Sequence, residues 1–253
     1  MKKIRYIAIS ILIWLIIWYL SALLVNKPVF LPGPIDTVRA LYMLIRTKEF
    51  YQGVLFSLLG ITKGFFIGLL SGIILATIAS INEFLGVLID TPVKVIKSVP
   101  VASFVVLALL WVNSQALSTL VSAMMVMPVI YTNVKTAITH TDTGKLEMAR
   151  VFRINLFKKI MYVYLPDVFP SLISASVIAS GFAWKSGVAA EIIGLIRNSI
   201  GNRIYQSKIY LETAELFAWT ITLIVLSILF EKIITLILVK LQKITGGTLH
   251  DRD

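Results

Sequence analysis

The chain has 253 residues, of which 58% are hydrophobic and 15% charged, and its formal net charge is +11. So apolar a composition excludes an ordinary soluble domain, and the lack of cysteine excludes a disulfide framework, a thiolate metal site and a cysteine nucleophile. The positive balance fits attraction to an anionic membrane leaflet; a nucleic-acid role would need a clustered basic face with aromatics outside the apolar stretches, and the sequence has none.

Long apolar runs without strict alternation predict an all-α polytopic membrane protein with about six spans of ~20 residues. The first predicted span is 7–25. It follows the basic start MKKIR but is too long for a secretory signal, carries Trp14, Trp18 and Tyr19, and has no small-residue cleavage site after it, so a retained helix is expected. Leu31-Pro32-Gly33-Pro34 then breaks the chain, and Asp36 or Thr37 is expected to cap an interfacial helix whose apolar positions Val38, Leu41, Tyr42 and Ile45 recur every third and fourth residue.

The second predicted span, 54–81, holds Gly60, Gly64, Gly68 and Gly72, a small-residue ridge that reads as a helix-packing face rather than a solute site. The third, 85–111, is interrupted near Ser98 and Pro100, and broken membrane helices line protein or water rather than lipid. It also carries Asp90, Lys94 and Lys97, with Asp90 and Lys94 spaced for a pair on one helix face or for snorkelling to the interface. The fourth span is 117–137.

Between it and the fifth lies the polar segment 142–164. Asp142 or Thr143 is expected to cap a short helix running to about Arg153, with Glu147 near its positive end. Met148, Val151 and Phe152 form an apolar ridge, and Ala149 beside them lets a partner come close. A turn at Asn155 and a basic helix over 156–164 complete a docking surface for a cytosolic partner, or an amphipathic loop resting on headgroups. Pro166 then starts the fifth span, 166–193, which contains the ionisable residues Lys185 and Glu191. Lys185 is expected to face a cavity; Glu191 reads either as part of a path or as a structural pair near the surface. The sixth span is 216–239, and Gly246–Asp253 reads as a short tail. Lysine and arginine are richer at the ends of the chain and in 142–164 than in the other connections, which predicts both termini cytoplasmic. His140 and His250 stand far apart in polar surroundings, so no metal site is expected.

Glu147 and Ala149, followed in register by Leu165-Pro166, resemble the E-A-A…G…I-x-L-P loop of permease subunits of bacterial ABC importers. Two positions depart from that pattern: Met148 replaces a small residue, and Arg153 stands at the usual glycine, which is expected to shift the turn toward Asn155. Leu31-Pro32-Gly33-Pro34, Ser57-Leu58 with Gly64, Gly68 and Gly72, Ser98 to Ala102, Ala183-Trp184-Lys185, Ala189 to Gly194 and Ser199-Ile200-Gly201 are similar, in order, to the nitrate, sulfonate and taurine branch, which includes permeases for pyrimidine precursors of thiamine.

The resemblance implies a type I importer permease in a bacterial plasma membrane, working with a second copy of itself, two ATP-binding cassette subunits and an external substrate-binding protein. Glu147, Met148, Ala149, Arg150, Val151, Phe152, Asn155, Leu165 and Pro166 would meet the ATPase. Ser98, Pro100, Trp184, Lys185 and Glu191 would line the solute path. ATP and magnesium belong to the partner, and the chain itself has no G-x-x-x-x-G-K-[ST] loop. A carrier driven by an ion gradient, or a membrane scaffold, is the other class open to such a sequence, although acidic residues repeated between two halves are missing.

Overall fold

A computed structural model describes residues 2–244 and is all-helical, with no strand among them; the tail over Gly246–Asp253 lies outside the described residues. Five helices are long and apolar enough to cross a membrane, six if a bent pair counts as one span. In order, α1 is Lys2–Val25, α2 Pro34–Leu44, α3 Lys48–Ala79, α4 Glu83–Ser98, α5 Val101–Ala108 and α6 Ser114–Thr139. Then come α7 Thr143–Val151, α8 Leu156–Lys159, a π-helical turn Ile160–Tyr164, α9 Leu165–Ile193, α10 Ile200–Ile209 and α11 Thr213–Ile244.

Caps and prolines set most of these boundaries. Thr47 and Asn82 accept the backbone N–H groups of Phe50 and Leu85, which starts α3 ahead of its apolar run and fixes α4. At α2 the expected cap fails: Gly33 is the cap residue and Pro34 the first helical position, while the buried Thr37 donates its hydroxyl back to Gly33 O at 3.0 Å. The third predicted span is two helices, α4 and α5, meeting at 101°. Pro100 offers no N–H, and Val99 before it is held extended (φ −76°, ψ 126°), so the helix cannot continue.

The fifth predicted span begins earlier than Pro166, because α8, the π turn and α9 run on as one helix, Leu156–Ile193. Pro166 has no N–H to return to the preceding turn, and the wider π ring, closed by Leu165 N–H on Ile160 O, accommodates it. A separate basic helix between two turns is therefore absent: 156–164 is the foot of the span.

The core lies where α3, α6, α9 and α11 meet, around Ile61, Phe65, Val126, Ala183, Trp184, Trp219 and Phe230. The glycine ridge of α3 is a packing face, as its spacing predicts. A Cβ on Gly64 would stand 2.4 Å from Thr119 O of α6, and one on Gly72 2.8 Å from Ile130 Cβ. Thr119 also donates to Gly60 O at 2.9 Å. A second apolar cluster joins α5 to α6 and α9 through Val105, Ala108, Leu117, Val121 and Ala190. Outside this body, α1 is unburied along its apolar length; Trp18 anchors it, donating to Pro32 O at 3.0 Å and stacking on Phe217 of α11.

Candidate functional site

The polar segment folds into a short helix held against the foot of α9. Asp142 caps α7, its Oδ1 accepting from Gly144 N–H at 2.7 Å. Lys145 reaches Asp167 at the start of α9 with an N–O distance of 2.7 Å. Ala149 is only 2% exposed, and its carbonyl accepts from Ile154 N–H at 2.9 Å. Ala149 therefore packs inward against its own chain, which corrects the expectation that it admits a partner.

What α7 offers outward is the ridge. Val151 and Phe152 are 77% and 73% exposed, Met148 is half exposed, and Glu147 and Arg150 also face out. Leu156 and Phe157, just past the turn, are as exposed as Phe152 and extend the apolar surface. They escaped the sequence reading because helical periodicity stops at a turn. Leu165 and Pro166 are half-buried within the long helix.

The reversal also differs from expectation. Arg153, at the position that resembles the family glycine, itself takes the left-handed conformation (φ 49°), and its N–H bonds Arg150 O at 3.0 Å. Asn155 is extended and caps α8, accepting from Lys158 N–H at 2.9 Å. Arg153 keeps the turn where the glycine would make it, at a steric cost of about 1–2 kcal/mol for a left-handed residue with a Cβ.

Of the path candidates, three are accessible. Lys185 is exposed on a face of α9 shared with the exposed Ser174, Ile178 and Phe182. Ser98 and Pro100 are exposed at the α4–α5 corner, with the Ser98 hydroxyl donating to Lys94 O at 2.9 Å.

Trp184 and Glu191 are instead fully buried inside the chain. Trp184 sits edge-on to Phe230, ring centroids 6.1 Å apart. Glu191 Oε2 accepts from Ser57 Oγ at 2.8 Å and from Gly201 N–H at 3.0 Å. Both correct the path assignment in this chain: they face helix packing, and Glu191 takes the structural role. Lys63, midway along α3 on its exposed face with Leu59, Phe66 and Leu70, is an intramembrane cation that the glycine spacing around it masks.

Asp90 does not pair with Lys94. Its carboxylate lies 2.8 Å from Lys135 Nζ through both oxygens and 2.6 Å from Tyr131 OH, which ties α4 to α6. Lys97 reaches Thr132 Oγ1 at 2.8 Å across the same pair. No group of three or more metal-ligating side chains forms among the described residues.

Comparison with known proteins adds the wider context. Residues 68–243 match the family described as binding-protein-dependent transport system inner membrane component. The aliphatic sulfonates transport permease protein SsuC of Escherichia coli (strain K12) is 27% identical over 185 residues, 72% of this chain and 70% of that protein. The nitrate import permease protein NrtB of Synechococcus elongatus is 24% identical over 192 residues, 72% of this chain and 68% of its own. The taurine transport system permease protein TauC of Escherichia coli (strain K12) is 20% identical over 231 residues, 89% and 82% of the two chains. The fold is shared with a crystal structure of an amino acid ABC transporter with histidines, at a TM-score of 0.59 and 17% identity, covering 80% of this chain and 97% of that one.

Proposed function

Since this chain belongs to the binding-protein-dependent transport system inner membrane components, we propose that it is the membrane-spanning subunit of an ATP-driven importer for a small anion. It pairs with a second copy, receives solute from a binding protein outside, and is driven by two ATP-binding subunits in the cytosol. The observation that carries this reading is the ridge of α7: Met148, Val151 and Phe152 stand exposed on a helix pinned at its other face by Lys145–Asp167 and Ala149. An apolar ridge on a fixed mount is what a groove in a soluble partner can grip, and the continuous helix behind it carries displacement into the membrane.

The anion follows from Lys185. A lysine on an exposed face within an apolar helix is costly in lipid, at least several kcal/mol, so its face belongs to the path or the second copy. There it favours negative charge. The relatives named for sulfonates, nitrate and taurine agree with a solute bearing an anionic group.

The test is co-purification of the tagged chain with an ATP-binding subunit and a binding protein, followed by ATP hydrolysis and uptake assays. Hydrolysis should rise with solute-loaded binding protein, and Glu147→Arg or Phe152→Asp should remove both stimulation and uptake while membrane insertion persists. A chain that purifies without any ATPase, or variants that transport normally, would refute the assignment.

A further inference from the structure

We propose that Glu191 is a positioning residue that fastens α10 to the far end of α9, so that α10 travels with the long helix whenever α7 is displaced. The proposal rests on the importer reading above and adds a mechanical part to it. Glu191 is fully buried, in the last turn of α9. Its Oε2 accepts from Ser57 Oγ of α3 at 2.8 Å and from the N–H of Gly201 at 3.0 Å. The same Ser57 Oγ accepts from the N–H of Ile200 at 2.9 Å. One carboxylate and one hydroxyl thus satisfy two of the free donors at the start of α10 and join three helices. Bonds from backbone N–H groups to a carboxylate at a helix N-terminus are among the stronger ones available.

The joint has no slack. A Cβ on Gly201 would lie 2.4 Å from Glu191 Cβ and 2.9 Å from Val188 O. The link between the helices is also stiff. Leu195 and Asn198 are both left-handed (φ 49° and 59°), and between them the buried Ile196 donates its N–H to Glu191 O at 3.1 Å. In the first turn of α9, at the opposite end of that helix, Asp167 holds α7 through Lys145. A polar tie in the first turn and another in the last turn of the 29-residue α9 make α7, α9 and α10 a contiguous chain, and such chains transmit rigid-body shifts. Without the Glu191 tie, α7 still follows the ATPase but α10 lags, and hydrolysis is no longer spent on moving solute.

The decisive experiment uses the full complex with ATP-binding subunits made free of cysteine, and the chain's own lack of cysteine then allows nitroxide labels to be placed only at Ile193→Cys and Lys208→Cys of one copy. Both sites are exposed, one on α9 and one on α10. The distance between them should be narrow and the same in the nucleotide-free and ATP-trapped states. In Glu191→Ala it should broaden, and solute moved per ATP hydrolysed should fall about tenfold, the loss attached to leaving buried hydrogen-bond partners unmatched. Glu191→Gln should preserve both readouts, because its amide oxygen still accepts from Ser57 and Gly201.

A wild-type distance that changes between the two states overturns the proposal, and this measurement needs no change at position 191. So does Glu191→Ala with an unaltered distance and an unaltered transport ratio. Failure of the importer reading shows separately, as a chain that assembles with no ATPase at all.

Discussion

Replacing Gly64 with alanine should push α3 and α6 apart, and the size of the effect follows from two distances. The new Cβ would stand 2.4 Å from Thr119 O and 2.7 Å from Ser122 Cβ, whereas carbon contacts settle near 3.3–4.0 Å. A separation of about 1 Å is therefore needed, and neither obstacle is the end of a flexible side chain that could swing away. Overpacking of this kind costs about 1–3 kcal/mol, partly offset by the ~1 kcal/mol gained when alanine replaces glycine inside a helix. Gly181 in α9 provides the opposite case: a Cβ there meets nothing within 4 Å, so Gly181→Ala should keep the ~1 kcal/mol gain. The same substitution thus changes sign between two spans of one chain, with a difference of about 1–3 kcal/mol. Thermal unfolding in detergent, followed by fluorescence from the buried Trp184 and Trp219, should place Gly64→Ala below Gly181→Ala by several degrees, at about 2–4 °C per kcal/mol for a chain of this size. If Gly64→Ala melts at or above Gly181→Ala, the close α3–α6 contact is not what packs these spans.

Arg153→Gly should be nearly neutral, within about 1 kcal/mol, because relief of the left-handed cost is balanced by a freer backbone; Arg153→Pro, whose ring forbids that φ and removes the N–H on Arg150 O, should abolish stimulated ATP hydrolysis. Lys185→Met should lower uptake of an anionic solute while the complex still assembles, with Lys185→Arg restoring most of it; equal uptake by all three chains would remove Lys185 from the path. Asp90→Asn should lower stability by about 1–3 kcal/mol, since it weakens a carboxylate bonded to both Lys135 and Tyr131, and a thermal melt indistinguishable from wild type would show that α4 is held by other contacts.

The apolar runs of α3, α6, α9 and α11 were legible because burial in lipid imposes a composition that no other environment does, and Pro100 announced the break because proline acts through its own backbone. Asp142 was legible as a cap for the same local reason. What the sequence concealed was direction. Trp184 and Lys185 are neighbours only about 100° apart around α9, one buried and one exposed, and nothing in either residue type says that the indole turns inward and the ammonium outward. Glu191 read either as a path residue or as a structural pair because a charge in a span invites both, and what decides between them is Ser57, 134 residues away in α3, together with the backbone of Gly201 at the start of α10. Asp90 was matched to the nearest lysine at helical spacing, yet its partner is 45 residues away. The helix α10 was hidden by its mixed polarity, and the turn at Arg153 by a steric preference that the surrounding fold overrides.

The helix from Leu156 to Ile193 has a further consequence. Its 38 residues extend about 57 Å at 1.5 Å per residue, nearly twice a hydrocarbon core of about 30 Å. Such an overshoot makes bilayer thickness a mechanical variable: lipids with longer chains swallow more of the helix foot or change its tilt, altering how far the ridge at Phe152 stands clear of the headgroups. Acyl-chain length, a property of the host membrane rather than of any protein partner, would then tune how readily the soluble engine can reach its handle.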